Sequence, residues 1–446
     1  MSDRILSEVA AALDVHGLRG RHLCIGLSGG VDSIVLMDTL DRLRAEYQLE
    51  LSALHVNHGI SVHAGEWQEF CAARCKARGI PLDVRVVTVV DDGSGIEACA
   101  RALRHRAYAQ MPAAHCVVLA HHLDDQAETF LLQLLRGAGP KGLAAMPAWR
   151  PAGSGTAAML RPMLGIRRDE IEAHARGRGL AWVTDESNAE ARYDRNFLRN
   201  ELLPLLQARF PGYRETLSRA ARNMADHLQL AEELAAIDAS DLPVSAQRLR
   251  ALSDARALNL LRHMFAQHGL PMPPRSQLEE GLRQCRGARP DAQVRVDFGT
   301  HALRCYRGAV ELVESDAAPP SWQASWDGRH VLQLPASLGR LRPRPAVGSG
   351  IAARHFREQP ALVRGRSGGE SMRPLPAGPS RTLKNLMQEN AVPPWERARM
   401  PLVFFGDRLA WVPGIGVAAE FRAGAAEAGI EPEWDRSATS PEPGPR

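Results

Sequence analysis

The sequence predicts an α/β protein: a parallel twisted sheet with helices on both faces, then a mostly helical middle domain and a small α+β C-terminal domain. Three observations predict it. Short apolar runs alternate with amphipathic stretches through the first 136 residues. A Ser/Gly turn, Ser-Gly-Gly-Val-Asp-Ser at residues 28–33, joins the first run to the first amphipathic stretch. Beyond about residue 215 the alternation stops, and longer helical stretches precede hairpin-spaced strands and a segment rich in Pro, Gly and Arg.

Residues 23–27, Leu-Cys-Ile-Gly-Leu, form the first strand, and Leu36, Leu40, Leu43 and Tyr47 mark the buried face of the helix after it. Residues 51–56 give the second strand, and a helix over 62–78 stops at Gly79 and Pro81. Strands follow at 84–90 and 117–120, with helices at 95–111 and from about 121 to Arg136. Strands alternating with helices imply a parallel sheet whose ligands bind beyond the carboxyl ends of the strands. One long helical stretch is expected over 246–268, and hairpin strands at 294–298, 303–306 and 310–313. The organisation expected is a catalytic domain at 1–215, a middle domain at 216–315, a linker near 316–321, a C-terminal domain at 322–435 and a disordered tail at 436–446.

Hydrophobic residues make up 45% of the 446 and charged residues 24%, as in globular proteins. No apolar run is long enough to span a membrane, and the first residues lack a signal-peptide core, so a cytoplasmic location is expected. None of the seven cysteines forms a CxxC pair; Cys71 and Cys75 lie one helical turn apart and read as small buried hydrophobes. Only Lys76, Lys141 and Lys384 are lysine, and every other basic side chain is arginine. Arginine suits phosphate, because its planar fork donates two parallel hydrogen bonds. The net charge of +4 permits a nucleic-acid partner without requiring one.

The 28–33 turn carries the clearest chemistry. Gly29 and Gly30 let backbone N–H groups face an anion, the following helix adds free donors, and Ser28 and Ser33 add hydroxyls. Asp32 is informative, since a carboxylate beside phosphate needs a cation between them, which suggests Mg²⁺. The loop lacks the Gly-Lys-Ser/Thr of a Walker A motif. His55 and His58 fall at the end of the second strand, and His121 and His122 at the end of the fourth, so all four should gather at the ligand edge. Asp125 and Glu128 share one helix face, and two such carboxylates need something cationic between them, Mg²⁺ or an ammonium group. Asp124 alone reads as a solvated acid at the helix start. Arg195 and Arg199, at i and i+4, could grip RNA or ATP phosphates. Residues 340–366 hold seven arginines against Glu358 alone, a candidate RNA-phosphate patch.

The 28–33 segment resembles the SGGxDS loop of ATP pyrophosphatases, the PP-loop superfamily, whose members cleave ATP between its α and β phosphates. Further blocks are similar, in order, to the tRNA(Ile)-lysidine synthase family. They are His55-Val-Asn-His-Gly59, the set Glu97, Ala100, Arg101 and Arg104, the run from His121 to Thr129, Arg136 to Leu143, Arg161-Pro162, and Asp185, Asn188, Arg195, Asn196 and Arg199. Weaker matches are Gly368-Gly369-Glu370, Arg381 to Lys384, and Pro393 to Arg397. The chain departs from the pattern with His105 where members often have Tyr, and Asn385 where they often have a second Lys.

The resemblance implies a PP-loop ATPase fold and a reaction in which ATP adenylates the wobble cytidine of CAU-anticodon tRNA(Ile). L-lysine then displaces AMP to form a carbon–nitrogen bond. It implies ATP binding by Ser28, Gly29, Gly30, Val31, Asp32, Ser33 and His55, with Mg²⁺ on Asp32. It implies lysine binding by Asp125 and Glu128, catalytic roles for Asp32, Asp125 and Glu128, and tRNA contacts from Arg101, Arg104, Arg195, Arg199, Lys384 and Arg397. Oligomeric state stays open, a homodimer among the options. A tRNA thiolase of the same superfamily is the nearest alternative, and the lack of CxxC weighs against it.

Overall fold

The computed structural model describes residues 3–90, 93, 95–153, 155–184, 194–240, 243–289, 292–315, 321–335 and 338–436. Asp185 and Asn188, most of the expected linker and the tail beyond 436 lie outside them. The chain divides into two compact units, Met1–Glu233 and Leu234–Arg446.

The first unit runs α1 (Arg4–Val15), β1 (His22–Gly26), α2 (Val31–Leu43), β2 (Glu50–Asn57), α3 (Ala64–Lys76), β3 (Leu82–Val86), α4 (Ile96–Ala109), β4 (Cys116–Val118), α5 (Leu123–Leu135), α6 (Pro140–Leu143), β5 (Trp149–Arg150), β6 (Ala158–Leu160) and α7 (Arg168–Gly177). Then come α8 (Asp194–Phe197), a π-helical turn (Leu198–Leu202), α9 (Leu203–Arg209) and α10 (Tyr213–Asp238), which runs on past the division between the units. The third strand starts and ends earlier than the expected 84–90, because Pro81 delivers the chain to β2 and the Ala53 N–H bonds the Pro81 carbonyl.

The sheet order is β3-β2-β1-β4-β6-β5, parallel except for the antiparallel edge strand β5. Side-chain alternation loads both faces. Leu23 and Ile25 enter a core with Val9 and Leu13 of α1, Ile34 and Leu40 of α2, and Ile171 of α7. Cys24 points the other way, packing with Leu54, Val117 and Met159 against Tyr108 of α4. Each fully buried Leu or Ile contributes roughly 1.5–3 kcal/mol of transfer free energy. The chain leaves β1 toward β2 and β3, then returns to place β4 on the opposite flank of β1. That reversal opens a crevice between the ends of β1 and β4, the usual ligand position in such sheets.

The second unit holds two cores. One packs β7 (Val244–Ser245), α11 (Ala246–Ala251), α12 (Asp254–Gln267) and α13 (Arg275–Gly287) on β8 (Val294–Phe298), β9 (His301–Tyr306) and β10 (Ala309–Glu314), in sheet order β7-β10-β9-β8. The single helix expected over 246–268 is two, because Ser253 caps a new start by accepting the Arg256 N–H at 3.5 Å. The other core lies under a five-stranded sheet that includes Ala361–Arg364, Leu402–Phe405 and Arg408–Val412, and a four-stranded one. In the four-stranded sheet Arg340–Val347 runs antiparallel to Ala428–Asp435, with Pro343 opposite Pro432 and Pro345 opposite Ile430.

Five of the seven arginines in the 340–366 stretch are paired with acids. Arg340 and Arg342 reach Asp435 at 3.1 and 3.0 Å, Arg354 pairs with Glu427, and Arg364 and Arg366 converge on Glu370 at 3.7 and 3.4 Å. The neutralising acids come from further along the chain, so the local sequence does not show them.

Candidate functional site

The turn after β1 is built for close backbone approach. Gly29 has φ +87°, and a Cβ there would lie 2.9 Å from Val183 Cγ2 and 3.1 Å from Cys71 Sγ. Its carbonyl accepts the Val183 N–H at 3.0 Å. Ser33 Oγ donates to the Gly30 carbonyl at 3.0 Å and lies 3.2 Å from Ser28 Oγ, which accepts the Gly30 N–H. These bonds fix the loop while the first-turn N–H groups of α2, from Val31 onward, have no intrahelical acceptor.

Asp32, in that first turn, points into the crevice. Its Oδ1 is buried with no hydrogen-bond partner, and its nearest basic neighbour is His122 Nε2 at 3.7 Å. Burial raises the Asp32 carboxyl pKa, and the attraction of His122, Arg168 and Arg199 offsets this only in part. A dry carboxylate oxygen with no donor fits a divalent cation. Among the described residues no three His, Cys, Asp or Glu side chains converge as a metal cage.

Across the crevice, the β4–α5 connection supplies His121 and His122, and α5 supplies the buried acids Asp124, Asp125 and Glu128. Asp125 accepts the His122 N–H at 3.1 Å, tying the start of α5. Where the sequence reading set Mg²⁺ or an ammonium group beside Asp125 and Glu128, the structure places a pair of arginines. Arg195 donates from Nε to Glu128 at 2.7 Å and from Nη2 to Asp125 at 3.0 Å. Arg199 donates from Nε and Nη2 to Glu128 at 2.7 and 3.0 Å. Burial disfavours the charge on Asp125, but His122, Arg195 and His121 together hold its carboxyl well below the usual range. Burial likewise works against both guanidiniums, and the two carboxylates outweigh it, raising their pKa values.

The sequence reading sets Arg195 and Arg199 on RNA or ATP phosphate. The structure instead directs their forks at carboxylates, with side chains only 18% and 25% exposed. The π turn over Leu198–Leu202 carries Arg199, and such turns are frequent at functional sites. Asp124 also departs from its expectation as a solvated helix-start acid. It is buried, accepts the Arg168 N–H at 3.0 Å and pairs with Arg214. Arg168 and Arg214 are site residues that the sequence reading missed, and nothing in their local sequence marks them.

His55 is buried, and its Nδ1 donates to the Leu27 carbonyl at 2.9 Å, leaving Nε2 as an acceptor beside the loop. Burial lowers its pKa, the Leu27 bond resists, and Arg104 lowers it further. Burial, Arg104 and His55 bring His58 down to about 4, and Arg104 Nε lies 3.4 Å from His58 Nε2. Burial takes His121 down to about 3, and its Nδ1 accepts from Arg161 Nε at 3.2 Å. Arg101 acts on His121 and His105, so it borders the same region. In the second unit, Lys384 is exposed, whereas Arg397 is spent internally, donating to the Val392 carbonyl at 2.9 Å and the Tyr306 hydroxyl at 3.0 Å.

All seven cysteines are buried, and burial pushes the Cys24, Cys71, Cys75, Cys116 and Cys285 thiols up to about 11 or 12. Those five carry no thiolate at neutral pH, which disfavours sulfur transfer through them. No helix among the described residues is long and apolar enough to cross a membrane.

A PP-loop domain model matches residues 3–206, a TilS substrate binding domain model residues 245–310, and a TilS substrate C-terminal domain model residues 362–434. The chain is 42% identical over 434 residues to the tRNA(Ile)-lysidine synthase of Nitrosomonas europaea, covering 95% of this chain and 94% of that one. It is 42% identical over 416 residues to that of an Azoarcus species, covering 92% and 91%. It is 39% identical over 420 residues to that of Aromatoleum aromaticum, covering 93% and 98%.

Proposed function

Since the chain belongs to the tRNA(Ile)-lysidine synthase family, we propose that it uses ATP to activate the wobble cytidine of CAU-anticodon tRNA(Ile) and then joins L-lysine to ring carbon 2. The observation that carries the reading is the unpartnered Asp32 oxygen at the mouth of the fixed glycine turn, facing the acid and arginine cluster of α5. In the first step the cytosine carbonyl oxygen attacks the α-phosphorus, the bond to the β-phosphate breaks, and pyrophosphate leaves. In the second, a neutral amine of lysine attacks the activated carbon, the carbon–oxygen bond breaks, and AMP departs as the amine loses a proton. The activity is that of a ligase forming a carbon–nitrogen bond.

The loop from Ser28 to Ser33 holds the triphosphate on backbone N–H groups in line with the incoming oxygen. Mg²⁺ on Asp32 would neutralise phosphate charge as it builds up on the departing pyrophosphate. The free Nε2 of His55 suits the adenine amino group. Asp125 and Glu128, interleaved with Arg195 and Arg199, present carboxylate and guanidinium together. That mixture complements the ammonium and carboxylate of a free amino acid and leaves the second amine of lysine available to attack. Arg101, Arg104 and Lys384 contribute phosphate contacts, and the middle and C-terminal domains hold the tRNA body. The base is reachable because an anticodon loop already displays it.

Mass analysis of nucleosides from this tRNA, after incubation with the protein, ATP and labelled lysine, tests the reading. A cytidine gaining one lysine less one water is expected. Unmodified cytidine in the presence of all three substrates refutes it.

A further inference from the structure

The middle domain contains a hollow of about 350 Å³ between the start of α11, the end of α13 and the β9–β10 turn. Arg250, Arg289 and Arg307 line it with Ser245, Gln247 and backbone, and none of its lining residues is Asp or Glu. Arg250 is held in place from behind: its Nε donates to the Arg286 carbonyl at 2.7 Å and its Nη2 to the Ala288 carbonyl at 2.9 Å. No carboxylate of the described residues pairs with any of the three arginines. The contrast within the same unit is sharp. Arg248 and Arg256 share the buried Asp238, and Arg340, Arg342, Arg354, Arg364 and Arg366 each reach an acid. Guanidiniums gathered with no carboxylate partner among the described residues repel one another and attract an anion.

A second observation is independent of charge. Arg307 sits at φ +50° and Gly308 at +82°, as the two-residue turn between β9 and β10. Such turns favour Asn or Gly at the first position, because a side chain there crowds the backbone. The Arg307 guanidinium lies 5.8 Å from the centroid of the Tyr306 ring. An arginine in a left-handed turn position, at the rim of a hollow with no acid among its described lining residues, points to a ligand.

We infer that this hollow holds a phosphate of the tRNA backbone, with the three guanidiniums donating to its non-bridging oxygens. The inference rests on tRNA being the substrate. It concerns a contact that is blind to base sequence, so it can be measured without ATP or lysine.

The test uses the full chain with Arg289→Ala and Arg307→Gly, singly and together. Binding of CAU-anticodon tRNA(Ile) and of an unrelated tRNA is followed across a salt series. Both tRNAs should lose affinity by the same factor, roughly tenfold in the double variant, and the slope of log K against log salt should flatten by about 1–2. Glycine relieves the left-handed turn, so the thermal midpoint of Arg307→Gly should not fall. Arg289 is exposed, and its alanine variant reads the same contact without touching the turn. Wild-type affinity and slope in these variants overturn the inference, as does a loss confined to the cognate tRNA. Millimolar inorganic phosphate that stabilises the wild type but not the double variant, with tRNA binding unchanged, would assign the hollow to free anions instead. Failure to form lysidine would leave a positive binding result standing, and a negative one would leave the reaction untouched.

Discussion

Replacing Glu128 by alanine decides whether the α5 acids form an integral ion cluster or a preformed empty cation site. Glu128 is fully buried and receives three charge-assisted hydrogen bonds of 2.7–3.0 Å from Arg195 and Arg199. Removing one member of a buried ion pair typically costs about 3–5 kcal/mol, because its partner is left uncompensated. Here the guanidiniums keep 18% and 25% of their side-chain exposure, so water recovers part of that loss and about 2–3 kcal/mol remains. In a unit of this size each kcal/mol moves the midpoint by roughly 2–4 °C, so the midpoint should fall by about 4–12 °C. The sign is the discriminator. If the acids faced each other without the arginines, deleting one would remove like-charge repulsion and raise the midpoint. Calorimetry of wild type and Glu128→Ala at low and high salt measures this, and the drop should persist in high salt because the cluster is shielded from solvent. A midpoint that stays level or rises refutes the reasoning.

Asp32→Asn should raise the thermal midpoint at neutral pH while abolishing ATP-dependent pyrophosphate release. Burial raises the Asp32 pKa in the fold, so the folded state favours the protonated form, and its stabilising contribution is lost as pH rises through that pKa. The gain over wild type should therefore shrink toward pH 4, and a midpoint equal to wild type at all pH values counts against it. His121, by contrast, is brought down to about 3, so its neutral form stabilises the fold above its unfolded pKa of about 6.5. That contribution should disappear as pH falls from about 6.5 toward 3, at up to ~1.4 kcal/mol per pH unit. His121→Gln should be less acid-sensitive than wild type in urea titrations at pH 7 and pH 5, and equal slopes would remove the argument.

The fold was largely legible because its signals are local. The SGGVDS turn, the strand-ending histidines and the helix-spaced acids each sit within a few residues, and the sheet reversal brings them to one crevice. The lost information is long-range. Glu128 and its arginines are separated by 67 and 71 residues, so the sequence announces that a cation is needed without saying which. The same blindness hides Asp435, Glu427 and Glu370, which fold onto five of the seven arginines of 340–366. It also hides the hollow whose arginines lie at 250, 289 and 307. The break at Ser253 was readable in principle, since Ser-Asp is a common helix start, but the apolar periodicity on either side masked it.

The facing prolines of the C-terminal sheet have a consequence for the life of the chain before and between encounters with its substrate. Beyond Leu341 no described strand pairs with the outer border of Arg340–Val347. Pro343 and Pro345 have no amide hydrogen to offer there. A stray extended segment from another polypeptide therefore finds few donors with which to zip on. The border resists fibril-like growth by its own chemistry.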